Sequence, residues 1–361
     1  MTKVGIFGSG QLARMMALAV RPFGIDVICS GKKDDCASDV ATVIEVDMSC
    51  EKSVKHFLDK VDCATFETEN IDTTNLLNKE SIYPPVSVLH IGQNRLNEKK
   101  NFNDNNMLTA PYKEVNSLQD LQNAVSEIGV PSILKTCCGG YDGKGQFVLK
   151  DLSDIENSWN ELGNQGQLIL EGFIDFDYEV SLIGVRARNG QKLFYPLTEN
   201  VHIDGILHTS TVPSKAQNLQ IQTEKYMGDF LDKLNYVGVM VIEFFVQTNK
   251  DGVAEKLIAN EMAPRVHNSG HWTIDGATSS QFENHIRAVA GLPLGDVSYD
   301  KSVMVNCIGS MPDLQKTLKL STVKYHSYEK EPRSKRKVGH INLVGEKTIS
   351  QNLNIILNMI K

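Results

Sequence analysis

The sequence predicts a multidomain protein of mixed α/β and α+β class, and three observations support this prediction. The first 90 residues alternate short apolar strands with helices, beginning with a β–turn–α unit at residues 3–20. Residues 131–149 contain two apolar runs joined by a glycine-rich segment, which is typical of a hairpin. A chain of 361 residues is long enough for two or three domains. We expect a doubly wound domain at 1–92, a central domain at 93–292 with a flap at about 111–170, and a small C-terminal domain at 293–361.

Composition excludes several classes of function. Hydrophobic residues make up 41% and charged residues 22%, which is typical of a soluble protein, and the net charge is −7. We therefore expect no nucleic-acid partner and no membrane partner. The apolar runs are too short to span a bilayer, and no signal peptide is recognisable at the start. Seven cysteines without a CxxC pair favour reduced thiols in a cytoplasmic protein.

The N-terminal unit carries a dinucleotide fingerprint that is weak on its own. A strand at Lys3–Phe7 leads through Gly8-Ser-Gly10 into a helix at Gln11–Val20, so GSGQLA matches GxGxxA. A nicotinamide fold places an acid at the end of the second strand, but residues 26–29 lead into Ser30-Gly31 instead. The pattern argues against a nicotinamide site, while the helix N-terminus at Gln11 remains suited to another phosphate.

Further β and α patterns follow in the N-terminal domain. Strands are predicted at 43–46 and 63–66 with a helix at 50–60, then a helix at 72–78 and a strand centred on Val88. Glu67 and Glu69 follow the strand at 63–66. The carboxyl ends of parallel strands are where open α/β sheets bind ligands, so these acids are either ligand contacts or ordinary loop acids.

Residues 132–149 predict a loop that binds a polyanion. A strand at 132–134 ends in Lys135, the sequence GGYDGKGQ follows, and a strand resumes at 147–149. Glycines at this density let backbone N–H groups approach a ligand closely. The alternative is a flexible hairpin tip, but the charges of Lys135, Asp142 and Lys144 disfavour it. Cys137 and Cys138 are interpreted as strand residues without a redox role.

The remaining elements follow from periodicity and capping patterns. Helices are predicted at 94–101, 117–128, 154–162, 219–234 and 280–290, and strands at 167–170, 178–183, 192–196, 237–246, 256–263, 303–308 and 338–344. Residues 199–204, which include His202, are predicted as a polar segment.

Two glutamates in the central domain predict a metal site. Glu243 lies in the strand at 237–246 and Glu261 in the strand at 256–263, with a turn centred on Gly252. Such a hairpin pairs residues whose numbers sum to about 504, which is twice 252, and it therefore pairs Glu243 with Glu261. Opposed carboxylates destabilise a strand pair unless a cation lies between them, and oxygen ligands suit Mg²⁺. The alternative is that one glutamate is protonated or paired with Arg265.

Two further groups of polar residues belong to the candidate site. Strand alternation places Arg265 and His267 on the face of Glu261, where Arg suits an anion and His suits proton transfer. The basic run at 329–337 is either a solvated loop or a phosphate-binding segment.

Five motifs together point to one family. They are GSGQLARM, GGYDGKGQ, LEGFI, NEMAPRVHNSGHW and RKVGHINL, which occur in this order along the whole chain. The chain resembles the 5-(carboxyamino)imidazole ribonucleotide synthetases, which are ATP-grasp ligases of purine biosynthesis. The resemblance implies an ATP-grasp architecture behind the N-terminal Rossmann-like domain. It also implies carboxylation of 5-aminoimidazole ribonucleotide by bicarbonate and ATP, with carboxyphosphate as intermediate and ADP and phosphate as products.

The resemblance implies a role for each matching residue. The implied ATP contacts are Arg95, Lys135, Gly140, Tyr141, Asp142, Gly143, Lys144, Gly145, Gln146, Glu171, Gly172, Phe173, Ile174, Glu179, His202, Asn260 and Glu261. The implied ligands of Mg²⁺, for which Mn²⁺ is a substitute, are Glu243 and Glu261. The implied ribonucleotide contacts are Gln11, Tyr141, Asp142, Lys330, Arg336 and Lys337, and the implied catalytic residues are Arg265, His267 and Lys330.

The chain departs from the wider superfamily at one position, and two other functions are possible. The wider superfamily often has an Asn two residues after the second metal Glu, where this chain has Ala263, so a third protein ligand is in doubt. The alternatives to the carboxylation reaction are the function of a formate-dependent glycinamide ribonucleotide transformylase and that of a nicotinamide-binding oxidoreductase or sensor. We expect a cytoplasmic homodimer whose partners are small-molecule substrates.

Overall fold

The computed structural model describes residues 2–77, 79–139 and 145–360 of the chain. Residues 140–144, which belong to the predicted glycine loop, lie outside these ranges. Within the described ranges, none of the helices has both the length and the apolar character needed to cross a bilayer. The seven cysteines are free thiols.

The N-terminal part is a parallel sheet covered by helices on both faces. Its elements are β1 (Lys3–Phe7), α1 (Gln11–Val20), β2 (Asp26–Ser30), β3 (Thr42–Ile44), α2 (Glu51–Leu58) and β4 (Cys63–Phe66). The strand order is β3-β2-β1-β4. Val4 and Ile6 pack with α1 in one cluster, and Phe7 packs on Phe57 of α2 with ring centroids 5.0 Å apart. This alternation confirms the doubly wound arrangement.

Two predictions for the end of this domain are wrong. The predicted helix at 72–78 is only a single 3₁₀ turn at Thr74–Leu76, and the predicted strand around Val88 is helix α3 (Val86–Gly92). The β-branched residues favoured a strand, but Val86 and Val88 are buried in α3, as is Leu89. Burial of these side chains overrides the weak local preference for a strand.

A second, antiparallel sheet contains the predicted flap. Helix α4 (Arg95–Asn103) precedes it, and its elements are β5 (Tyr112–Val115), α5 (Leu118–Ile128), β6 (Ser132–Thr136), β7 (Gln146–Leu149), α6 (Asp154–Leu162) and β8 (Leu168–Gly172). The strand order is β5-β8-β6-β7. Strands β6 and β7 pair from Ser132↔Leu149 to Lys135↔Gln146, so the glycine segment connects two antiparallel strands as predicted.

The largest sheet runs from the central region into the C-terminal region. Its strands and the helices between them are β9 (Tyr178–Arg186), β10 (Lys192–Phe194), β11 (Thr198–Ile203), β12 (Ile206–Val212), α7 (Gln220–Lys233), β13 (Gly238–Thr248), β14 (Ala254–Ala263), α8 (Thr273–Gly276), α9 (Gln281–Ala290), β15 (Ser302–Ile308), α10 (Leu314–Leu318), β16 (Val323–Ser327), β17 (Lys337–Val344) and α11 (Glu346–Met359). The order is β14-β13-β9-β11-β12-β15-β17-β16, with β10 paired to β9. The polar segment predicted at 199–204 is strand β11, which pairs with β9 and β12.

A buried histidine joins the N-terminal sheet to the largest sheet. His285 of α9 accepts the backbone N–H of Val239 at Nδ1 (3.0 Å), and its Nε2 lies 2.7 Å from Oγ1 of Thr65 in β4. Because a backbone N–H can only donate, Nδ1 is an acceptor and Nε2 carries the proton. Burial lowers the pKa of His285 to about 3, so the ring is neutral in the folded protein at physiological pH.

We expect His285 to make the free energy of unfolding depend on pH. Its folded-state pKa of about 3 is below the ordinary value of 6.5, so on acidification the unfolded chain takes up the proton first. Stability therefore decreases as the pH falls from about 6.5 towards 3, by about 2 kcal/mol between pH 7.5 and 5 for one such histidine. Urea denaturation of the wild type and of His285→Gln at these two pH values measures this contribution.

The variant should be less stable at pH 7.5 and should lose less additional stability at pH 5 than the wild type. His56→Gln is the control, because His56 is exposed on α2, whereas His285 is buried between two sheets. Equal pH dependence in wild type and His285→Gln would show that His285 is not the buried neutral group described here.

Candidate active site

Residues from the N-terminal part, from both of the other sheets and from α4 line one cleft of about 700 Å³. The N-terminal part contributes Glu67 and Glu69, and the β6–β7 hairpin contributes Lys135. The predicted site residues that line it are Gln11, Arg95, Lys135, Gln146, Glu179, His202, Glu243, Asn260, Glu261, Arg265, His267 and Lys337. The fold therefore brings together positions that are up to 326 residues apart in the sequence, from Gln11 to Lys337.

The paired glutamates of the β13–β14 hairpin lie where the register argument predicts. Glu243 is directly opposite Glu261 in the antiparallel pair, and the register shifts at the next position. Glu243 is buried, whereas the carboxylate of Glu261 is partly exposed and its Oε2 lies 3.9 Å from Nη1 of Arg95. The alternative in which Arg265 pairs with one of these glutamates is wrong, because Arg265 pairs with Glu69.

The chemistry of this pair fits a cation. Burial, with the negative charge of Glu261 next in importance, raises the pKa of Glu243 to about 8. Oε1 of Glu243 is buried and has no hydrogen-bond partner among the described residues. A buried carboxylate oxygen without a donor is costly, and a divalent cation would remove both the cost and the repulsion from Glu261.

Glu179 and His202 lie beside Glu243. Ligand atoms of these three side chains are all within 4.8 Å of one another, and Nδ1 of His202 is 3.0 Å from Oε2 of Glu179. Burial alone would lower the pKa of His202, but the neighbouring carboxylates, led by Glu179, raise it above its ordinary value. These three side chains form one cluster in the cleft, because β13, β9 and β11 are neighbours in the sheet.

A buried ion cluster holds Lys135 at the start of the glycine segment. Nζ of Lys135 donates to Oε2 of Glu171 (3.0 Å), and Nζ of Lys99 lies 3.4 Å from the same oxygen and donates to the backbone carbonyl of Asn260 (2.9 Å). Burial alone would raise the pKa of Glu171, but the charges of Lys99 and Lys135 lower it to about 2. Glu171 is therefore a carboxylate that stabilises two cations next to the cleft.

Among the described residues, several of the predicted ATP and ribonucleotide contacts do not line the cleft. Gly145, the segment 171–174, Lys330 and Arg336 are outside its lining. The N–H groups of Gly172 and Phe173 donate to the carbonyls of Pro111 and Pro131, at 2.8 and 3.2 Å. The predicted contacts Gly140, Tyr141, Asp142, Gly143 and Lys144 lie outside the described residues.

Two carboxylates that follow β4 have structural partners in the cleft. Glu69 forms a bidentate pair with Arg265, whose Nη2 is 3.0 Å from Oε1. Glu67 accepts the backbone N–H of Gly10 and that of Ala13 (3.0 Å), so its carboxylate occupies the N-terminus of α1. A Cβ at Gly8 would lie 2.3 Å from Cγ of Glu67.

The glycines of GSGQLA therefore make room for Glu67 rather than for a dinucleotide phosphate. A helix N-terminus stabilises one nearby anion, and in this chain that anion is a side chain of the protein. This arrangement disfavours the nicotinamide alternative.

The imidazole of His267 is held by the loop that follows it. Its Nδ1 accepts the backbone N–H of Ser269 (3.3 Å) and lies 2.9 Å from Oγ of Ser269. Because this N–H can only donate, the proton of the neutral ring is on Nε2. Burial, with the charge of Arg265 next, lowers the pKa of His267 well below its ordinary value.

The basic run approaches the first helix. Nζ of Lys330 donates to Oε1 of Gln11, and Lys337 lines the cleft at the start of β17. Arg336 donates from Nη1 to the carbonyl of Glu331 (3.2 Å). Burial lowers the pKa of Lys330, with Cys36 and Arg336 among the charges that act on it.

Sequence reasoning missed several cleft residues. Glu98 is fully buried, and its Oε1 accepts the N–H of Met262 (2.6 Å) while burial raises its pKa to about 8. Tyr328 lines the cleft as well. Neither is marked by a local pattern, whereas His271 belongs to the motif NEMAPRVHNSGHW, which indicates a site as a whole.

Three family models match the chain. They are the ATP-grasp domain over residues 100–282, the ribonucleotide synthetase preATP-grasp domain over residues 1–93, and the phosphoribosylaminoimidazole carboxylase C-terminal domain over residues 302–351. These matches agree with the mixed α/β architecture described above.

Individual relatives cover nearly the whole chain. An N5-carboxyaminoimidazole ribonucleotide synthase from Pseudomonas aeruginosa is 44% identical and covers 94% of each chain. The crystal structure of N5-carboxyaminoimidazole ribonucleotide synthetase from Thermus thermophilus matches with a TM-score of 0.92 at 40% identity. The match covers 99% of this chain and 98% of the Thermus thermophilus chain. A Staphylococcus aureus N5-carboxyaminoimidazole synthetase complexed with ADP has a TM-score of 0.91 at 29% identity, covering 99% and 97%.

These comparisons confirm both the fold class and the family that the five motifs predict. The similarity extends over all three parts of the chain and includes the N-terminal domain, the ATP-grasp domain and the C-terminal domain. The chain belongs to the N5-carboxyaminoimidazole ribonucleotide synthase family of ATP-grasp ligases.

Proposed function

We propose that this protein uses ATP and bicarbonate to carboxylate the exocyclic amine of 5-aminoimidazole ribonucleotide, a step of purine biosynthesis. The observation that carries the proposal is the single cleft in which the glutamate pair of β13–β14, the lysine before the glycine segment and the Arg265–His267 loop meet. The name and high identity of the Pseudomonas aeruginosa relative support the choice of substrate.

ATP is assigned to the side of the cleft between the flap sheet and the largest sheet. Lys135 and Arg95 would contact its phosphates, and Glu179 and His202 would contact the nucleoside, in agreement with their positions in the lining. The buried Glu171 would act indirectly, since it holds Lys135 and Lys99 in place. The flap residues from Gly140 to Gln146, with the connector from Glu171 to Ile174, complete the proposed nucleotide site.

The metal assigned to this site is Mg²⁺, held by Glu243 and Glu261. When bound, it would neutralise charge on the phosphates during phosphoryl transfer. Two observations support this assignment: Oε1 of Glu243 has no hydrogen-bond partner in the part of the chain that the structure describes, and the two side chains are opposed in register. Asn260 adjoins Glu261 and also lines the cleft, although its backbone carbonyl accepts from Lys99.

The proposed reaction begins with bicarbonate. An oxygen of bicarbonate attacks the γ-phosphorus of ATP, the bond to ADP breaks, and carboxyphosphate forms. Loss of phosphate releases CO₂, whose carbon bonds to the amine of the ribonucleotide as that amine loses a proton. Arg265 and the Nε2–H of His267 would bind the bicarbonate-derived oxygens, because cations and oriented N–H donors stabilise charge that develops there.

The ribonucleotide is assigned to the side of the cleft next to the N-terminal domain. Gln11 and Lys330 contact each other at this side, and Lys337 lines the cleft near them. A cationic group near Gln11 suits a ribonucleotide phosphate. Arg336, Tyr141 and Asp142 complete the proposed contacts, and Lys330 is also proposed to act in catalysis.

The proposal also covers where and how the protein works. Free thiols, of which Cys137 and Cys138 are two, suit a reducing compartment, so we place the protein in the cytoplasm. We further propose that it forms a homodimer.

A substrate-dependence assay tests the reaction. Release of phosphate from ATP should require bicarbonate and 5-aminoimidazole ribonucleotide together, and omission of either should reduce the rate at least tenfold. Formate in place of bicarbonate, or glycinamide ribonucleotide in place of the imidazole, should not support turnover. Phosphate release that is indifferent to the ribonucleotide would be incompatible with the proposed function.

Removing one charge from the glutamate pair tests the metal assignment. Glu261→Gln keeps the volume of the side chain but loses a metal-binding charge, so turnover should fall at least 100-fold while the circular dichroism spectrum stays unchanged. Glu255→Gln, an exposed change on the same strand β14, is the matched control and should keep wild-type activity. If Glu261→Gln hydrolyses ATP at the wild-type rate in the presence of both substrates, Glu261 does not bind the metal.

A further inference from the structure

A second imidazole, His271, lies in the loop after β14 and lines the same cleft as His267. Its side chain is only 1% exposed, and its ring packs between Phe282 and His340, with centroids 5.5 and 4.9 Å away. Its Nε2 is buried and has no hydrogen-bond partner among the described residues. A buried polar atom without a partner costs about 1–3 kcal/mol, so this nitrogen suits a hydrogen-bond partner that the described residues do not supply.

The other nitrogen of His271 is reached by hydrogen bonds that begin at a backbone carbonyl. The carbonyl of Leu207 can only accept, and it accepts from Nδ2 of Asn306 (2.8 Å). This contact fixes the orientation of the Asn306 amide, because its oxygen cannot replace the nitrogen there. The second hydrogen on Nδ2 of Asn306 donates to Oδ1 of Asn268 (2.7 Å).

The orientation of Asn268 then determines the tautomer of His271. Since Oδ1 of Asn268 accepts from Asn306, its Nδ2 must donate, to Oδ1 of Asn306 (3.0 Å) and to Nδ1 of His271 (2.9 Å). The hydroxyl of Tyr328 lies 2.9 Å from the same Nδ1. Nδ1 of His271 is therefore an acceptor, and the single proton of the neutral ring is on Nε2.

The surroundings of His271 also disfavour the charged ring. An imidazolium would carry an N–H at Nδ1 that points at the N–H of Asn268, which destroys that hydrogen bond. Burial lowers the pKa of His271 well below its ordinary value, and the charges of Lys337 and His326 act in the same direction. The side chain is thus a neutral N–H donor in a fixed orientation.

We propose that His271 is a further catalytic residue whose Nε2–H donates to an anionic oxygen of the reactants, and that Asn268 and Asn306 are positioning residues for it. This inference rests on the proposed function. The cleft already contains Arg265, His267 and Lys337, so the shared chemistry of the partner is an anionic oxygen. That oxygen belongs either to the bicarbonate-derived carboxyl group or to the phosphate of the ribonucleotide.

A neutral donor has a specific advantage at such a position. It is already oriented before the reaction, and it stabilises negative charge without first losing a proton or a counter-ion. Of the two amides that orient it, Asn306 is fully buried and Asn268 is half-buried. Loss of one oriented donor of this kind usually lowers kcat by about 10²–10³-fold.

The tautomer is measured directly by ¹⁵N nuclear magnetic resonance of histidine-labelled protein, with His271→Gln used for assignment. We expect the pattern of a neutral ring protonated at Nε2 throughout pH 6–8. A ring protonated at Nδ1, or one that becomes charged in this range, would overturn the proposal. Because this measurement needs no turnover, it remains decisive even if the proposed function is wrong.

An isosteric change tests the positioning residues. Asn268→Asp replaces the donor Nδ2 by an oxygen, so the proton of His271 should move to Nδ1 and kcat should fall at least tenfold while the fold is kept. Added salt should restore neither the ¹⁵N pattern nor kcat, because it does not replace the lost N–H donor. An unchanged ¹⁵N pattern in this variant would show that Asn268 does not set the tautomer.

Two substitutions of His271 itself test the donor. His271→Gln retains an N–H of similar reach and should keep kcat within about tenfold of the wild type, whereas His271→Leu should lower it about 100-fold or more. A rise in KM for bicarbonate or in KM for the ribonucleotide identifies which anion is bound. The exposed change His56→Leu is the control.

Wild-type kcat and both wild-type KM values in His271→Leu would overturn the donor role. If His271→Leu fails to fold, the wild-type protein decides the question. Addition of bicarbonate or inorganic phosphate with ADP should then shift the ¹⁵N resonance of Nε2, and no shift with either anion would contradict the proposal.

Discussion

The cleft depends on one constraint, the register of the β13–β14 hairpin, which places Glu243 directly opposite Glu261. Two carboxylates on paired strands repel each other, and Glu243 is withdrawn from water as well. A divalent cation between the two carboxylates would relieve this cost. The cations of the surrounding residues are themselves paired, Lys99 and Lys135 with Glu171 and Arg265 with Glu69. A shift of the register by one residue would turn one glutamate to the opposite face of the sheet.

This register could be predicted from the sequence because it depends only on a local turn and on strand alternation. The glycine hairpin and most of the helices were predictable for the same reason, since periodicity and caps are local signals. Strand β11 was not, because residues 199–204 are polar and become a strand only through pairing with β9 and β12. The same holds for α3, whose β-branched residues are stabilised as a helix by burial.

The candidate site residues also divide into those marked by local sequence patterns and those that depend on contacts between distant parts of the chain. The joint role of Gln11 and Lys337 as ribonucleotide contacts follows only from the resemblance to a family, because no local pattern links positions so far apart. The partners Glu69 for Arg265 and Glu67 for the α1 N-terminus were not predictable, since each contact joins separate parts of the fold. The glycine pattern of GSGQLA shows the risk of local motifs. The glycines that a cofactor phosphate would require are used here to admit a carboxylate of the same chain.

The pairing of the cations also suggests why neutral donors belong in this cleft. Arg265 is held by Glu69, and Lys135 by Glu171, so each of these cations already has a carboxylate attached. An unpaired buried cation would bind a multiply charged anion tightly in a medium of low dielectric, and product release would be slow. Imidazoles fixed as Nε2–H donors, as at His267 and His271, add direction to anion binding without adding charge. Under the proposed mechanism, this arrangement would favour the transition state, where charge shifts between oxygens, over the tight binding of either anionic substrate or product.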